Sequence, residues 1–307
     1  MTFKHKLVKI LISSIQGCLG IVTSKLKLNE GLTVFLFHSI TDEPSEYLKS
    51  TGMWASTKSF KNQIDWINKN FSIIPVTSLL SQNSLPSNSA IITFDDAWLG
   101  SFEAIKNILI PENIPVCYFV NFGSIIDEFD INALKLYLSF NEIGDGTDME
   151  SINFLETAST MSKDNGFTTF QGPLMTLSQS LELFQSDLLT IGNHLYHHLE
   201  ANSISDIDFL KQLHLNQELI EHNGGRGRFF AFPFGAPNIN FGQRHLAILR
   251  NESFELVFSA NSNRLSRFIP IPSHIPRIHF SPSDKSQGDF WWATFKTQVL
   301  NRSSDLG

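Results

Sequence analysis

The sequence predicts an α/β fold built on a parallel sheet, and three observations carry that expectation. Short apolar runs rich in β-branched and aromatic residues alternate with amphipathic stretches, in about seven strand–helix units. Several of those runs end directly in histidine or aspartate: residues 32–37 at His38, residues 90–94 at Asp95-Asp96, and residues 188–192 at Asn193-His194. The chain has 307 residues, enough for one large α/β unit. Alternation of this kind implies right-handed crossovers and fits either an α/β barrel or a doubly wound sheet.

Residues 32–37 (Leu-Thr-Val-Phe-Leu-Phe) read as a buried strand, and Phe60, Ile64, Trp66 and Ile67 give residues 60–70 one apolar helical face. A short extended piece at residues 73–76 and a polar loop with Pro86 lead into the strand Ala90-Ile91-Ile92-Thr93-Phe94. A helix over residues 101–109 and a strand over 115–120 follow. Between residues 123 and 176 the pattern loosens around one helical stretch, 133–140, so this region is expected to be an insertion at one end of the core. Further helices are expected at 177–184, 205–221, 241–250 and 289–300, with Asn223-Gly224-Gly225 stopping the second of them. Strands are expected at 188–192, 229–232, 256–258 and 276–280. The domain expectation is an amphipathic extension over 1–29 and one domain over 30–302.

A net charge of −7 and a pI near 5.8 argue against a nucleic-acid binder, which would want a basic face. With only Cys18 and Cys117, no disulfide framework can form. Leu7, Ile10, Leu11, Ile15 and Leu19 fall at helical spacing behind several lysines, and Lys9 interrupts the apolar run a signal peptide needs. This segment is therefore expected to be retained on a cytoplasmic protein, packed on the domain or touching a membrane surface peripherally.

Neighbouring residues on a strand point to opposite sides, so Asp95 and Asp96 can take different tasks. Alone, such a pair serves equally well to cap the following helix. The segment His194-Leu195-Tyr196-His197-His198 changes the balance, because an i, i+4 pair on a helical turn lets His194 and His198 converge on one ion. With an aspartate from another strand end they would supply three N/O ligands and leave one position for water, the form of a catalytic zinc site. Manganese, iron and cobalt suit the same ligands.

These residues resemble the polysaccharide deacetylases with a NodB-like homology domain, a carbohydrate esterase family 4-like group. The resemblance rests on Thr93-Phe94-Asp95-Asp96, on Gly192-Asn193-His194-Leu195-Tyr196-His197-His198, on Phe232-Pro233-Phe234-Gly235, and on the first strand with His38 and the closing Pro276-Arg277-Ile278. It implies a distorted (β/α)7 barrel with its site at the carboxyl ends of the strands. It implies Asp96, His194 and His198 as ligands of one divalent ion, zinc first, and Asp95 as general base. An N-acetylated carbohydrate is the implied substrate. Ala97 stands where the family usually has a glycine, and Ala231 where many members carry an arginine that orients the base, a task Arg277 is placed to assume.

The chemistry makes sense of the same residues. Amide hydrolysis needs an activated water, a base, an oxyanion donor and an acid. A backbone N–H near Phe234 is the expected oxyanion donor and His38 the expected acid, with His274 and His279 as alternatives. Pro233, Phe234, Tyr196 and Trp98 are expected around the substrate, and His197 is expected to point to solvent. Two rival readings are a carbohydrate-binding protein that has lost catalysis and a hydrolase of a small non-peptide amide.

Overall fold

The computed structural model describes residues 31–81, 85–140, 165–225, 227–265 and 272–304. The expected extension over 1–29, with its membrane contact, lies outside them, as do residues 141–164 of the insertion. Among the described residues no helix is long and apolar enough to cross a membrane.

Among the described residues ten strands form: β1 (Leu32–Phe37), β2 (Ser39–Ile40), β3 (Trp54–Ala55), β4 (Ser72–Ile73), β5 (Ser89–Asp95), β6 (Val116–Val120), β7 (Leu189–Asn193), β8 (Phe229–Ala231), β9 (Leu256–Phe258) and β10 (Ile278–His279). Seven of them run parallel in the order β10-β1-β5-β6-β7-β8-β9, with β4 also pairing β5; β2 and β3 make a separate parallel pair. The ring closes where Ile275, just before β10, bridges to Phe258 of β9. The Ile275 N–H donates to the Val257 carbonyl at 2.7 Å. The result is a distorted (β/α)7 barrel.

Two-residue periodicity sorts the core into layers. Leu32, Val34, Ile91, Cys117, Phe119, Phe229, Ala231 and Ile275 fill the barrel interior. Phe35, Phe37, Ala90, Ile92, Phe94, Tyr118 and Ile278 face the surrounding helices. Asp95 shares its parity with inward Ile91, His38 with Leu32 and Val34, and Arg277 and His279 with Ile275. Burial pushes the Cys117 thiol pKa up, so it is inert.

The main helices lie near their expected positions: Thr57–Asn70, Leu177–Leu183, Asp206–His222, Gln243–Asn251 and Gln287–Ser304. Ser56, Thr176 and Ser205 accept the N–H three residues on and so cap the first three of these. The stretch expected to be helical over 101–109 divides into an α-helix, Leu99–Ala104, and a wider turn, Ile105–Leu109, in which the Ile110 N–H reaches back five residues to Ile105. The described insertion contributes Phe122–Ile126, Ile131–Phe140 and Asn165–Gln171. These pack Phe129, Leu134, Leu138 and Phe167 against Tyr47, Leu48 and Trp98 as a satellite core over the barrel mouth.

Candidate active site

At the carboxyl ends of the strands, Leu36, His38, Asp95, His194, His198, Phe232, Phe234, Arg277 and His279 line one cavity of about 170 Å³. Three features of chain geometry bring them there. Asp95 is the last inward residue of β5, and the backbone then turns through a left-handed Asp96 at φ 70°. Ala97, which stands where the family usually has a glycine, carries no strain from this turn, because the positive φ falls one residue earlier.

The His194–His198 segment is not the helical turn the spacing suggested. It is a loop, with Leu195 and His198 left-handed at φ 59° and 55°. Gly123 allows this loop to pack closely: its N–H donates to the Tyr196 carbonyl at 2.8 Å, and a Cβ there would collide with that oxygen. Asn193 braces the loop from within, accepting the Leu195 N–H at 2.9 Å and donating to the Leu213 carbonyl at 2.9 Å.

Asp96, His194 and His198 are all buried, and each offers one donor atom within 4.8 Å of the others. Asp96 Oδ1 lies 3.4 Å from His194 Nε2 and 3.1 Å from His198 Nε2. It nevertheless makes no well-directed hydrogen bond. An unpartnered buried carboxylate oxygen is costly, and a cation facing all three atoms would satisfy it. The outer atoms are already committed. His194 Nδ1 donates to the Ala231 carbonyl at 2.8 Å, which leaves Nε2 as a bare acceptor. Asp96 Oδ2 accepts the Trp98 indole N–H at 3.0 Å. The donor set therefore fits a divalent ion.

Burial opposes ionisation of Asp96, but the facing histidines hold its carboxyl well below the usual range. Burial would likewise lower His198, yet the Asp96 and Asp130 carboxylates push it up to about 9.

Asp95 is gripped by Arg277, Nη1 to Oδ1 at 2.6 Å and Nη2 to Oδ2 at 2.7 Å. Burial raises its pKa, but this guanidinium, with His194, brings the net shift below the ordinary value. Arg277 is itself fixed by donating from Nε to the Ser259 carbonyl at 3.1 Å. His38 and His279 stand together at the rim with ring centroids 5.4 Å apart, and His38 Nδ1 is buried without a partner. Burial lowers both pKa values, that of His279 to about 3.

Phe234 stacks on the His198 ring at 5.5 Å and 11° and leaves 38% of its surface exposed. It sits at φ 61° in a tight turn closed by the Gly235 N–H on the Pro233 carbonyl at 2.7 Å. Its own N–H has no hydrogen-bond partner among the described residues.

Five expected placements are corrected. Trp98 is fully buried against Tyr47, its N–H spent on Asp96, so it does not line the cavity. Tyr196 is turned away, its ring 4.4 Å from that of His197, and Pro233 is buried in the turn. His197 does not point to open solvent: it is held between Asp127 at 3.1 Å and Gln212 at 3.1 Å. His274 lies outside the cavity, bonded to the Ser259 hydroxyl at 2.9 Å. Sequence reasoning missed Asp130, whose Oδ2 accepts from His198 Nδ1 at 3.0 Å.

Comparison with known proteins agrees with this fold. The family model described as polysaccharide deacetylase matches residues 82–251. No curated protein matches the chain significantly. Among solved structures, the Streptococcus pyogenes deacetylase PplD in complex with acetate is similar, with a TM-score of 0.60 and 15% identity over 86% of this chain and 97% of that one. IcaB from Ammonifex degensii gives 0.59 and 20% over 86% and 97%. The de-N-acetylase from Aggregatibacter actinomycetemcomitans gives 0.59 and 13% over 87% and 98%. At these identities the likeness is one of fold.

Proposed function

Since the chain belongs to the polysaccharide deacetylase family, and so to hydrolases of non-peptide carbon–nitrogen bonds, we propose that it removes N-acetyl groups from a sugar of a polysaccharide or glycan precursor, with one divalent ion held by Asp96, His194 and His198. The observation that carries this reading is the unpartnered Asp96 Oδ1, aimed at two imidazole Nε2 atoms beside a carboxylate that a guanidinium already holds ionised. A bound ion of this kind polarises a carbonyl and lowers the pKa of a water from about 16 to about 7, and zinc is the first choice for one carboxylate and two imidazoles.

The remaining tasks fall to the chain. Asp95 lines the cavity ionised and takes the proton of the attacking water. Arg277 keeps it in place through both carboxylate oxygens. As the carbonyl carbon becomes tetrahedral, the free Phe234 N–H donates to the developing oxyanion. His38 gives a proton to the nitrogen as the carbon–nitrogen bond breaks, so acetate and a free amine leave. The exposed face of Phe234 offers the sugar ring an apolar platform. Intact Asp95, Asp96, His194 and His198 support a hydrolase over a binding protein that has lost catalysis.

The test is metal analysis of the purified chain, followed by acetate release from a panel of N-acetyl sugars and oligosaccharides. About one ion per chain and acetate release are expected. Full metal occupancy in His194→Ala/His198→Ala would overturn the assignment of ligands. Release only from small non-sugar amides would overturn the substrate.

A further inference from the structure

We propose that Asp130, carried by the inserted region, is a positioning residue that holds the one proton of the ion-ligating His198 imidazole at Nδ1, so that Nε2 faces the ion, and so sets the metal affinity of the site. The proposal rests on the ligand set assigned above.

Asp130 is buried just before the helix Ile131–Phe140, and each of its oxygens has its own task. Oδ1 accepts the N–H groups of Asn132 and Ala133, both at 2.9 Å, and so caps that helix. Oδ2 accepts from His198 Nδ1 at 3.0 Å. The Asp130 N–H donates in turn to Gln171 Oε1 at 2.6 Å. The carboxylate is thus fixed from several sides before it meets the imidazole.

Asn132 poses the alternative. Its Nδ2 is 3.2 Å from His198 Nδ1 and 2.9 Å from the His198 carbonyl. An amide N–H on Nδ1 would require that nitrogen to be bare and would place the proton on Nε2, where it would block an ion. Asp130 Oδ2 stands at Nδ1 as an acceptor while Oδ1 already accepts two N–H groups, so Nδ1 carries the proton and the Asn132 amide is spent on the carbonyl. His194 meets the same requirement through a backbone carbonyl, whereas His198 meets it through a charge from about seventy residues upstream in sequence. A carboxylate partner also raises the basicity of the ligating nitrogen.

The experiment compares zinc affinity of the full chain and of Asp130→Asn by competition with a chromophoric chelator, together with the visible spectrum of the cobalt-loaded proteins. Asparagine keeps the capping oxygen but turns an N–H toward Nδ1, which favours the wrong tautomer. Affinity is expected to fall about 10- to 100-fold, as for other outer partners of metal-bound histidine. The cobalt bands should alter, and Asp130→Glu should recover part of the affinity. Equal affinity and an unchanged cobalt spectrum in Asp130→Asn would overturn the proposal. Wild-type protein with no zinc affinity would instead sink the ligand assignment itself. If Asp130→Asn does not fold, the nitrogen-15 shifts of His198 in the zinc-loaded wild type decide: a proton on Nδ1 supports the proposal, and one on Nε2 refutes it.

Discussion

Arg277 holds Asp95 through two parallel hydrogen bonds of 2.6 and 2.7 Å across the barrel interior, both groups buried. Removing one partner of such a pair leaves a charge with nothing to balance it. Arg277→Met is expected to cost about 3–5 kcal/mol of stability, measured by urea denaturation. It should also raise the Asp95 pKa, so the acid limb of kcat/KM moves to higher pH. An unmoved limb would mean the guanidinium does not act on the base.

Asp95→Asn should retain the ion, because Asp95 is outside the ligand set, while activity falls by about 10²–10⁴-fold, the usual cost of losing a general base. Paired metal analysis and acetate release check this. An empty site in the variant would reverse the division of labour between the two aspartates.

His198, with its pKa raised to about 9, is protonated at neutral pH in the metal-free protein. Ion binding must displace that proton, so apparent affinity should rise about tenfold per pH unit from about pH 7 toward 9. Without metal the sign reverses. A folded pKa above the unfolded value of about 6.5 contributes stability that is present below that value and lost as pH rises through about 9. The metal-free melting temperature should therefore fall over this window while chelator-competition affinity climbs.

His38→Gln should leave the ion bound and slow amide hydrolysis far more than hydrolysis of an activated ester, whose leaving group needs no proton. Burial lowers the His38 pKa, so the alkaline limb it controls should lie below the ordinary value of about 6.5. Equal losses on ester and amide would move the acid role to His279, whose ring stands beside it.

Ala97→Gly should bring no relief of strain, because the left-handed residue is Asp96. The added freedom of the unfolded chain should instead destabilise the protein by about 0.4–1 kcal/mol, read from thermal melts.

Much of the site was legible because strand parity is simple. Asp95, His38, Arg277 and His279 lie where alternation along β5, β1 and the last strand puts them. What was not legible depends on turns and on distant packing. Spacing alone made His194 and His198 a helical pair, whereas a loop with two left-handed residues brings them together. Trp98 looked like a sugar-facing aromatic, but the insertion covers it and Asp96 takes its N–H. Asp130 gave no signal, since its partner is 68 positions away and the intervening sequence has no periodicity that would fold it back.

The bridge from Ile275 to Phe258 that closes the barrel also divides the site along the chain. Asp96, His194 and His198 lie before residue 199, whereas Arg277, which balances Asp95, and His279, the second rim histidine, belong to the closing segment. A chain cut before that segment would keep the three proposed ion-binding side chains and lose the counter-charge of Asp95.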